Sequence, residues 1–281
     1  MTLCLPDWKK RIDRIFNLGS KQRIMNIKGY TFIIIVVLLV WVCPAVAMDG
    51  AQIAQKVVDR DQGQDATLKI RMLLIDKGGK KRFRSLITVV KKYGNVSKSY
   101  IRFTSPADIE GTAFLTWENK ASDDDQFLYL PALQRVRRIV SSQKSNRFVN
   151  TDYTYEDLQS REVDQDVHTV LREEKLDDHD CWVLESIPKA TDDSQYGKRV
   201  TWVVKEIYLP IKTEFYDKRN RLHKILTGKE IQKIEGIWTI LDAEMNDLNK
   251  NHRTLLKTDE IGYNRGIPDE IFTKGYMRHN Q

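Results

Sequence analysis

Apolar and polar positions alternate along most of the chain, and the alternation is clearest between Tyr100 and Leu158. Ile101 to Phe103 and Thr112 to Trp117 each predict a strand, separated by Ser-Pro-Ala-Asp, which is turn chemistry. Gln126 to Leu130 is a third run. It follows Ala-Ser-Asp-Asp-Asp and stops at Pro131, which has no N–H to give to a ladder. Gln134 to Val140 continues as a basic strand, with Arg135, Arg137 and Arg138 spread over both faces. Together these runs predict an antiparallel meander with one apolar and one charged face. No nucleophile, metal cluster or phosphate loop interrupts it, so its working part is expected to be a surface.

The same period of two fills the rest of the chain. Ala66 to Asp76, Arg82 to Lys92 and Ser97 to Phe103 are expected strands, joined at Lys77-Gly78-Gly79-Lys80 and Tyr93-Gly94-Asn95. His168 to Lys175, Asp180 to Pro188, Lys198 to Glu206 and Ile211 to Tyr216 follow, then the longer runs Leu222 to Ile234, Gly236 to Asn246 and Arg253 to Tyr263. Helices are few. Asp49 to Arg60 places Ile53, Val57 and Val58 on one side at helical spacing; Thr151 to Leu158 predicts a helical turn capped by Thr151 or Asp152; Asp269 to Tyr276 closes the chain after Pro268. The class is mainly β (α+β), and a sheet of about ten or eleven antiparallel strands must curl on itself.

The first 47 residues stand apart. Lys9, Lys10, Arg11, Arg14, Lys21, Arg23 and Lys28 precede the apolar run Tyr30 to Val42, then Pro44 and Ala45-Val46-Ala47. This is the pattern of a secretory signal peptide cut after Ala47. The leader is long for one, which makes Met25 an alternative start. An uncleaved anchor is the competing reading, but the run is shorter than the ~20 residues that span a bilayer. A lipoprotein signal fits less well, because bulky Trp41 and Val42 precede Cys43. The leader holds seven of the 46 Lys/Arg and two of the 39 Asp/Glu, so the part from Met48 carries 39 bases against 37 acids, a net of +2. The basicity thus belongs to the targeting segment, and nucleic acid is not an expected partner. Cys4 and Cys43 leave with the leader, and Cys181 alone cannot form an internal disulfide. Residues 48–281 are expected to fold as a single domain.

Little in the remainder suggests catalysis or metal binding. Asp123-Asp124-Asp125 lacks the spaced ligands of a calcium loop and is expected to be a solvated turn. His179 and Cys181 share one face of a strand, but two ligands do not make a zinc site, and no base is marked beside the thiol. Neither G-x-S-x-G nor H-E-x-x-H occurs. No cofactor, no metal and no enzymatic activity are expected. What does stand out is five period-two groups: Ile101/Phe103, Ala113/Leu115/Trp117, Leu128/Leu130, Trp182/Leu184 and Trp202/Val204. Each group shares one sheet face. By pattern alone they are either a packed core or the wall of a cavity.

At these residues the chain resembles a known family. The train Tyr100-Ile101-Arg102-Phe103, Pro106-Asp108-Ile109-Gly111-Thr112, Phe127-Leu128-Tyr129-Leu130-Pro131, Arg135-Val136-Arg137-Arg138-Ile139 and Thr151-Asp152 to Tyr155-Glu156-Asp157-Leu158 is similar to the outer-membrane lipoprotein-sorting family, relatives of the LolA carrier. Trp202-Val203-Val204, Tyr208-Leu209-Pro210-Ile211-Lys212 and Phe215-Tyr216-Asp217 resemble its late strands. The resemblance implies a LolA/LolB-like half-open antiparallel β-barrel whose concave face is covered by short helices. It also implies a periplasmic carrier of a lipid or lipidated protein. Ile101, Phe103, Leu115, Trp117, Leu128, Leu130, Trp182, Leu184, Trp202 and Val204 are then candidate lipid-binding residues, with Leu115, Trp117, Leu128 and Leu130 facing inward together and Arg82 pointing outward. Arg135, Arg137 and Arg138 are candidate contacts to an anionic head group or a partner. The strict lipoprotein carriers resemble the chain less than some relatives do, and some of those serve lipid exporters of the resistance-nodulation (RND) type. The alternative is therefore a non-carrying accessory module bound to an inner-membrane permease of that type.

Overall fold

Thirteen antiparallel strands form one sheet whose two edges are consecutive in the chain. The computed structural model describes residues 48–120, 122–190 and 194–279; the expected signal peptide, Met25, Cys4 and Cys43 lie outside the described residues. The strands of the first half are β1 (Asp65–Ile75), β2 (Lys81–Tyr93), β3 (Val96–Ser105), β4 (Ala113–Trp117), β5 (Asp125–Leu130) and β6 (Arg135–Arg138). Those of the second half are β7 (Asp166–Leu176), β8 (His179–Pro188), β9 (Tyr196–Val204), β10 (Leu209–Asp217), β11 (Leu222–Gly228), β12 (Ile231–Ile234), β13 (Ile237–Ile240), β14 (Asp242–Asp247) and β15 (His252–Tyr263). The order β6-β5-β4-β3-β2-β1-β15-β14-β11-β10-β9-β8-β7 places the β1–β15 pair in the middle and leaves the sheet unclosed, a half-open barrel.

Fifteen strands form among the described residues, more than the ten or eleven expected, and two of the long runs each break in two. Leu222 to Ile234 divides after Gly228, and Gly236 to Asn246 divides at Leu241. A Cβ on Gly228 would lie 2.8 Å from the side chain of Ile240, so glycine lets that side chain pack against the backbone where the chain leaves the sheet. The outgoing segment folds back as the separate β12–β13 hairpin. Its turn, Glu235-Gly236, has φ of 50° and 89°, the paired left-handed geometry of a tight hairpin.

Helix α1 (Gly50–Asp59) begins in a reciprocal cap: Gln52 N donates to Asp49 Oδ1 at 2.8 Å, and Asp49 N to Gln52 Oε1 at 3.1 Å. Ile53 and Ala54 pack on Leu184 and Val203, with Val57 half-buried beside them. Val58, expected on this face, is instead exposed, because the helix touches the sheet through the Ile53/Ala54/Val57 edge of its stripe. The chain closes with a 3₁₀ turn at Asp269–Phe272 and the short helix α2 (Lys274–His279). No helix among the described residues is long and apolar enough to cross a membrane.

Candidate functional site

Since β6 and β7 are opposite edges of the sheet, the segment between them, residues 139–165, has to cross the open side of the half-barrel. We call this segment the strap and the face beneath it the inner face. Register then assigns every predicted site residue to a face. Leu86 pairs with Phe103, Thr88 with Ile101, Phe114 with Leu128 and Arg135 with Leu130. Ile101, Phe103, Phe114, Leu128 and Leu130 therefore lie together on the inner face, packed against Phe148 and Tyr155 of the strap. Leu115 pairs with Phe127, and both lie on the outer face with Trp117, under Ile267, Phe272 and Met277 of the C-terminal segment.

The expected grouping of Leu115 and Trp117 with Leu128 and Leu130 is thus corrected. Residues 113–116 and 126–129 are buried at every position, so neither face reads as polar, and alternation alone could not say which members of each strand faced together. The second half shows the same split. Trp182 pairs with Val203 and Val183 with Trp202. Trp182 and Leu184 lie inward beneath α1. Trp202 and Val204 lie outward with Cys181 and Val183. The arginine cluster divides too: Arg135 and Arg137 share the inner face with Leu130 and Leu128, whereas Arg138 is outward and pairs with Asp125 at 2.5 Å.

The strap is the part that sequence reasoning left without a role. Phe148 and Tyr155 meet Phe114 at ring-centroid distances of 5.0 and 5.6 Å, and Phe148 meets Phe103 at 5.9 Å. These aromatic rings fill the inner face of β3–β5. Tyr155 O accepts from Gln126 Nε2 at 2.9 Å, and Arg84, buried on β2, donates to Val149 O at 2.6 Å. Burial and the neighbouring Arg82 and Arg147 push the Arg84 guanidinium below its ordinary pKa. Val149 sits at φ 44°, a conformation a β-branched residue adopts at a cost of about 1–3 kcal/mol.

Three carboxylates then pin the strap to the other half of the sheet. Asp152 accepts from Thr254 Oγ1 and meets His252 Nδ1, both at 2.6 Å, and pairs with Arg147 at 3.0 Å. Glu156 accepts from Ser194 Oγ, from Gln195 N at 2.9 Å and from Arg199 Nη2 at 3.0 Å. Asp157 pairs with Lys224 at 2.5 Å and accepts from the Tyr196 hydroxyl at 2.7 Å. Burial, then the Asp157 charge, drives the Tyr196 phenol far above its ordinary pKa. The Thr151–Leu158 segment is irregular, with only a 3₁₀ turn at Glu156–Leu158. Neither proposed cap forms: Thr151 Oγ1 donates to Phe148 O, and Asp152 is committed to β15. The signal was present as Asp152-Tyr-Thr-Tyr-Glu-Asp157, acids and aromatics crowded into a stretch with no period of its own.

The acidic turn 123–125 is not simply solvated either. Asp123 pairs with Lys144 and accepts from Ser141 at 2.9 Å, while Asp124 accepts from Ser160 N at 3.0 Å and Asn119 N at 3.2 Å. It latches the β4–β5 loop to both ends of the strap. Burial, with the Glu118 and Asp123 charges nearby, pushes the Asp124 carboxyl up to about 6. Between strap and sheet lies a cavity of about 800 Å³. Its lining is mostly polar and acidic, with Glu118, Asp124, Glu156, Asp157 and Asp166 around Arg199 and Thr201, and Tyr153, Phe215, Leu226 and Met245 are its apolar members. Its size is that of an ordinary ligand site. None of the predicted site residues lines it. His179 and Cys181 belong to no metal-ligand cluster, and none exists among the described residues.

A LolA-superfamily protein from Nitrosomonas europaea superposes with a TM-score of 0.65 at 23% identity, over 82% of this chain and all of that one, which shows the fold. Two structures stand nearer in sequence. A DUF1329 family protein from Desulfovibrio piger is 33% identical with a TM-score of 0.78, over 81% of this chain and 97% of its own. A putative outer membrane lipoprotein-sorting protein domain from Vibrio parahaemolyticus is 34% identical with a TM-score of 0.77, over 82% and 98%. A family model described as an uncharacterized protein matches residues 95–279. No match is found among curated proteins. The chain belongs to this DUF1329 and outer-membrane lipoprotein-sorting family.

Proposed function

We propose that the protein is a periplasmic carrier of the Gram-negative envelope, delivered by a signal peptide cut after Ala47, that holds an acyl chain of a lipid or lipoprotein between the strap and the inner face. The observation that carries this reading is the apolar inner face of β3–β5, covered by a segment tied down through side-chain ion pairs and hydrogen bonds. Displacing Phe148 and Tyr155 would expose Phe103, Phe114 and Leu128 next to the existing cavity. Each methylene buried there contributes about 0.8 kcal/mol, so a long chain needs no strong polar contact. Ile101, Leu130, Trp182 and Leu184 extend the same face, and Arg137, on that face beside Leu128, is placed to take an anionic head group. Leu115, Trp117, Trp202, Val204 and Arg138 leave the candidate set. The protein carries out no catalysis in this reading.

One observation favours the accessory reading: the rings of the strap already fill the space that an acyl chain would occupy. A protein that stays in this state would serve as a binding module of an inner-membrane exporter of the RND type.

Organic extracts of natively purified protein, read by mass spectrometry, test the carrier. Lipid near one equivalent supports it. A clean extract, together with no uptake of a fluorescent fatty acid, supports the accessory role. Leu128→Glu places a carboxylate under the strap and should weaken uptake of the probe by about a hundredfold. Lys218→Ala, in the exposed β10–β11 turn, should leave it unchanged. If Leu128→Glu takes up probe like the wild type, the inner face is not the site.

A further inference from the structure

The β1–β2 hairpin carries the densest unpaired charge in the described residues. Lys77, Lys80, Lys81 and Arg82 are all exposed, and none enters an ion pair among the described residues, whereas Lys69 and Arg71 on the same β1 strand are paired with Glu260 and Asp259. Phe83 follows at once and is 68% exposed. It points away from Arg84 and the inner face, beside its cross-strand partner Leu73. The tip is held firmly: Asp76 Oδ1 accepts from Gly78 N at 2.9 Å and Lys80 N at 3.0 Å, and Gly79 takes φ 79°. One acid thus shapes the turn, with Lys77 and Lys80 beside it; Lys81 shares the face of Phe83, whereas Arg82, paired with Leu74, stands at the edge of the inner face and not outward as expected.

We infer that this hairpin docks the protein on an anionic phospholipid surface, with the cations among the head groups and Phe83 at the acyl boundary. Charge complementarity argues for it, since the chain from Met48 is otherwise near neutral. The chemistry favours a bilayer over an acidic protein. Three of the four cations are lysines, compact charges on flexible stems, and the ring is 68% exposed. A single exposed aromatic beside flexible charges suits an interface of lipid head groups. The inference rests on the exposure and charge of the hairpin, independently of whether the inner face holds an acyl chain.

Protein recovered as its own cells process it is sedimented with vesicles of phosphatidylcholine alone and of phosphatidylcholine with phosphatidylglycerol, at low and high salt. Binding should require the anionic lipid and fall with salt. Each cation neutralised should cost about fivefold, so Lys80→Ala/Lys81→Ala loses about 25-fold. Phe83→Ser should lose about tenfold with little change in salt dependence. Uptake of a fluorescent fatty acid in vesicle-free buffer should stay at the wild-type level in all of these variants, which separates failure of docking from failure of the carrier reading. Equal sedimentation of wild type and double variant, or equal binding to neutral vesicles, overturns the inference. So does a variant that sediments normally but no longer crosslinks to a protein in the envelope, which would assign the hairpin to a protein partner.

Discussion

The strap and the C-terminal segment cover opposite faces of the same strands, and they are held in different ways. Both put aromatic side chains on β3–β5: Phe148 and Tyr155 inside, Phe272 outside. The C-terminal segment is fastened at many points by its backbone. Asp65 accepts from the amides of Arg265, Gly266 and Ile267, Lys91 donates to Ile267 O at 2.6 Å, and Trp117 Nε1 donates to Phe272 O at 3.0 Å. The strap has backbone anchors too, Tyr155 O to Gln126 and Val149 O to Arg84, but adds three buried carboxylates where the C-terminal segment uses one, Asp65, and it carries a strained Val149. Buried ion pairs offset much of their attraction by desolvation, so they position a segment without adding greatly to its stability. Within one sheet, then, both covers are packed as core, and they differ in how much buried charge holds them.

The comparison is broken most directly by shaving one ring from each cover. Phe148→Ala and Phe272→Ala should each cost about 4 kcal/mol in chemical denaturation, because both rings are almost fully buried. Their effects on ligand should differ. Phe148→Ala vacates space against Phe103 and Phe114 and should tighten binding of a fatty-acid probe roughly tenfold, while Phe272→Ala should leave it unchanged. Equal effects on probe binding would mean that the strap is ordinary core.

Charge gives the next contrast. Asp157→Ala leaves the Lys224 ammonium, 1% exposed, without its partner and takes the acceptor from Tyr196. We expect a loss of about 3 kcal/mol. Asp269→Asn removes the charge from a pair whose acid is 69% exposed while leaving the Lys91 bond to Ile267 O, and should cost far less than Asp157→Ala. A small effect at Asp157 would show that the strap is not held by its buried charge.

The strands were legible because one residue in two carries the information. Even the basic β6 was readable from Arg135-Val136-Arg137-Arg138. The assignment of faces was not. In Ala113–Trp117 and Gln126–Leu130 consecutive residues are buried because both sides are covered, and which residues share a side is settled by pairing register, a property of two strands together. Trp182 and Trp202 illustrate this: each alternates correctly within its own strand, yet Trp202 pairs with Val183 and so faces away from Trp182. The strap was illegible for another reason. Asp152 meets Thr254, 102 residues away, and Asp157 meets Lys224, 67 away, so nothing local shows why those acids are there.

The smallest effect distinguishes the two covers by sign. Asp124 binds its proton more tightly in the folded protein than a free carboxyl does, since burial and the Glu118 and Asp123 charges raise it to about 6. Such a group favours folding as pH falls from about 6 toward the ordinary value of 3.8, and opposes it above about 6. Mild acidification should therefore stabilise the folded β4–β5 loop against Ser160 by about 1 kcal/mol once solvent screening is allowed for. Relief of the burial cost outweighs the weaker bonds that a protonated Asp124 accepts from Ser160 N and Asn119 N. Asp269 on the C-terminal segment behaves in the opposite way. Hydrogen bonds from Lys91 and Tyr93 hold it below the ordinary carboxyl value, so its contribution is complete above that value and is lost as pH falls through the lowered one. Hydrogen exchange followed across this range should show amides around Ser160 gaining protection between about 6 and 4, with those around Ile267 unchanged until the solution is more acidic. Asp124→Asn should flatten the first trend and leave the second. Loss of protection around Ser160 over the same interval would mean that Asp124 is charged in the fold, and that the latch depends on its carboxylate.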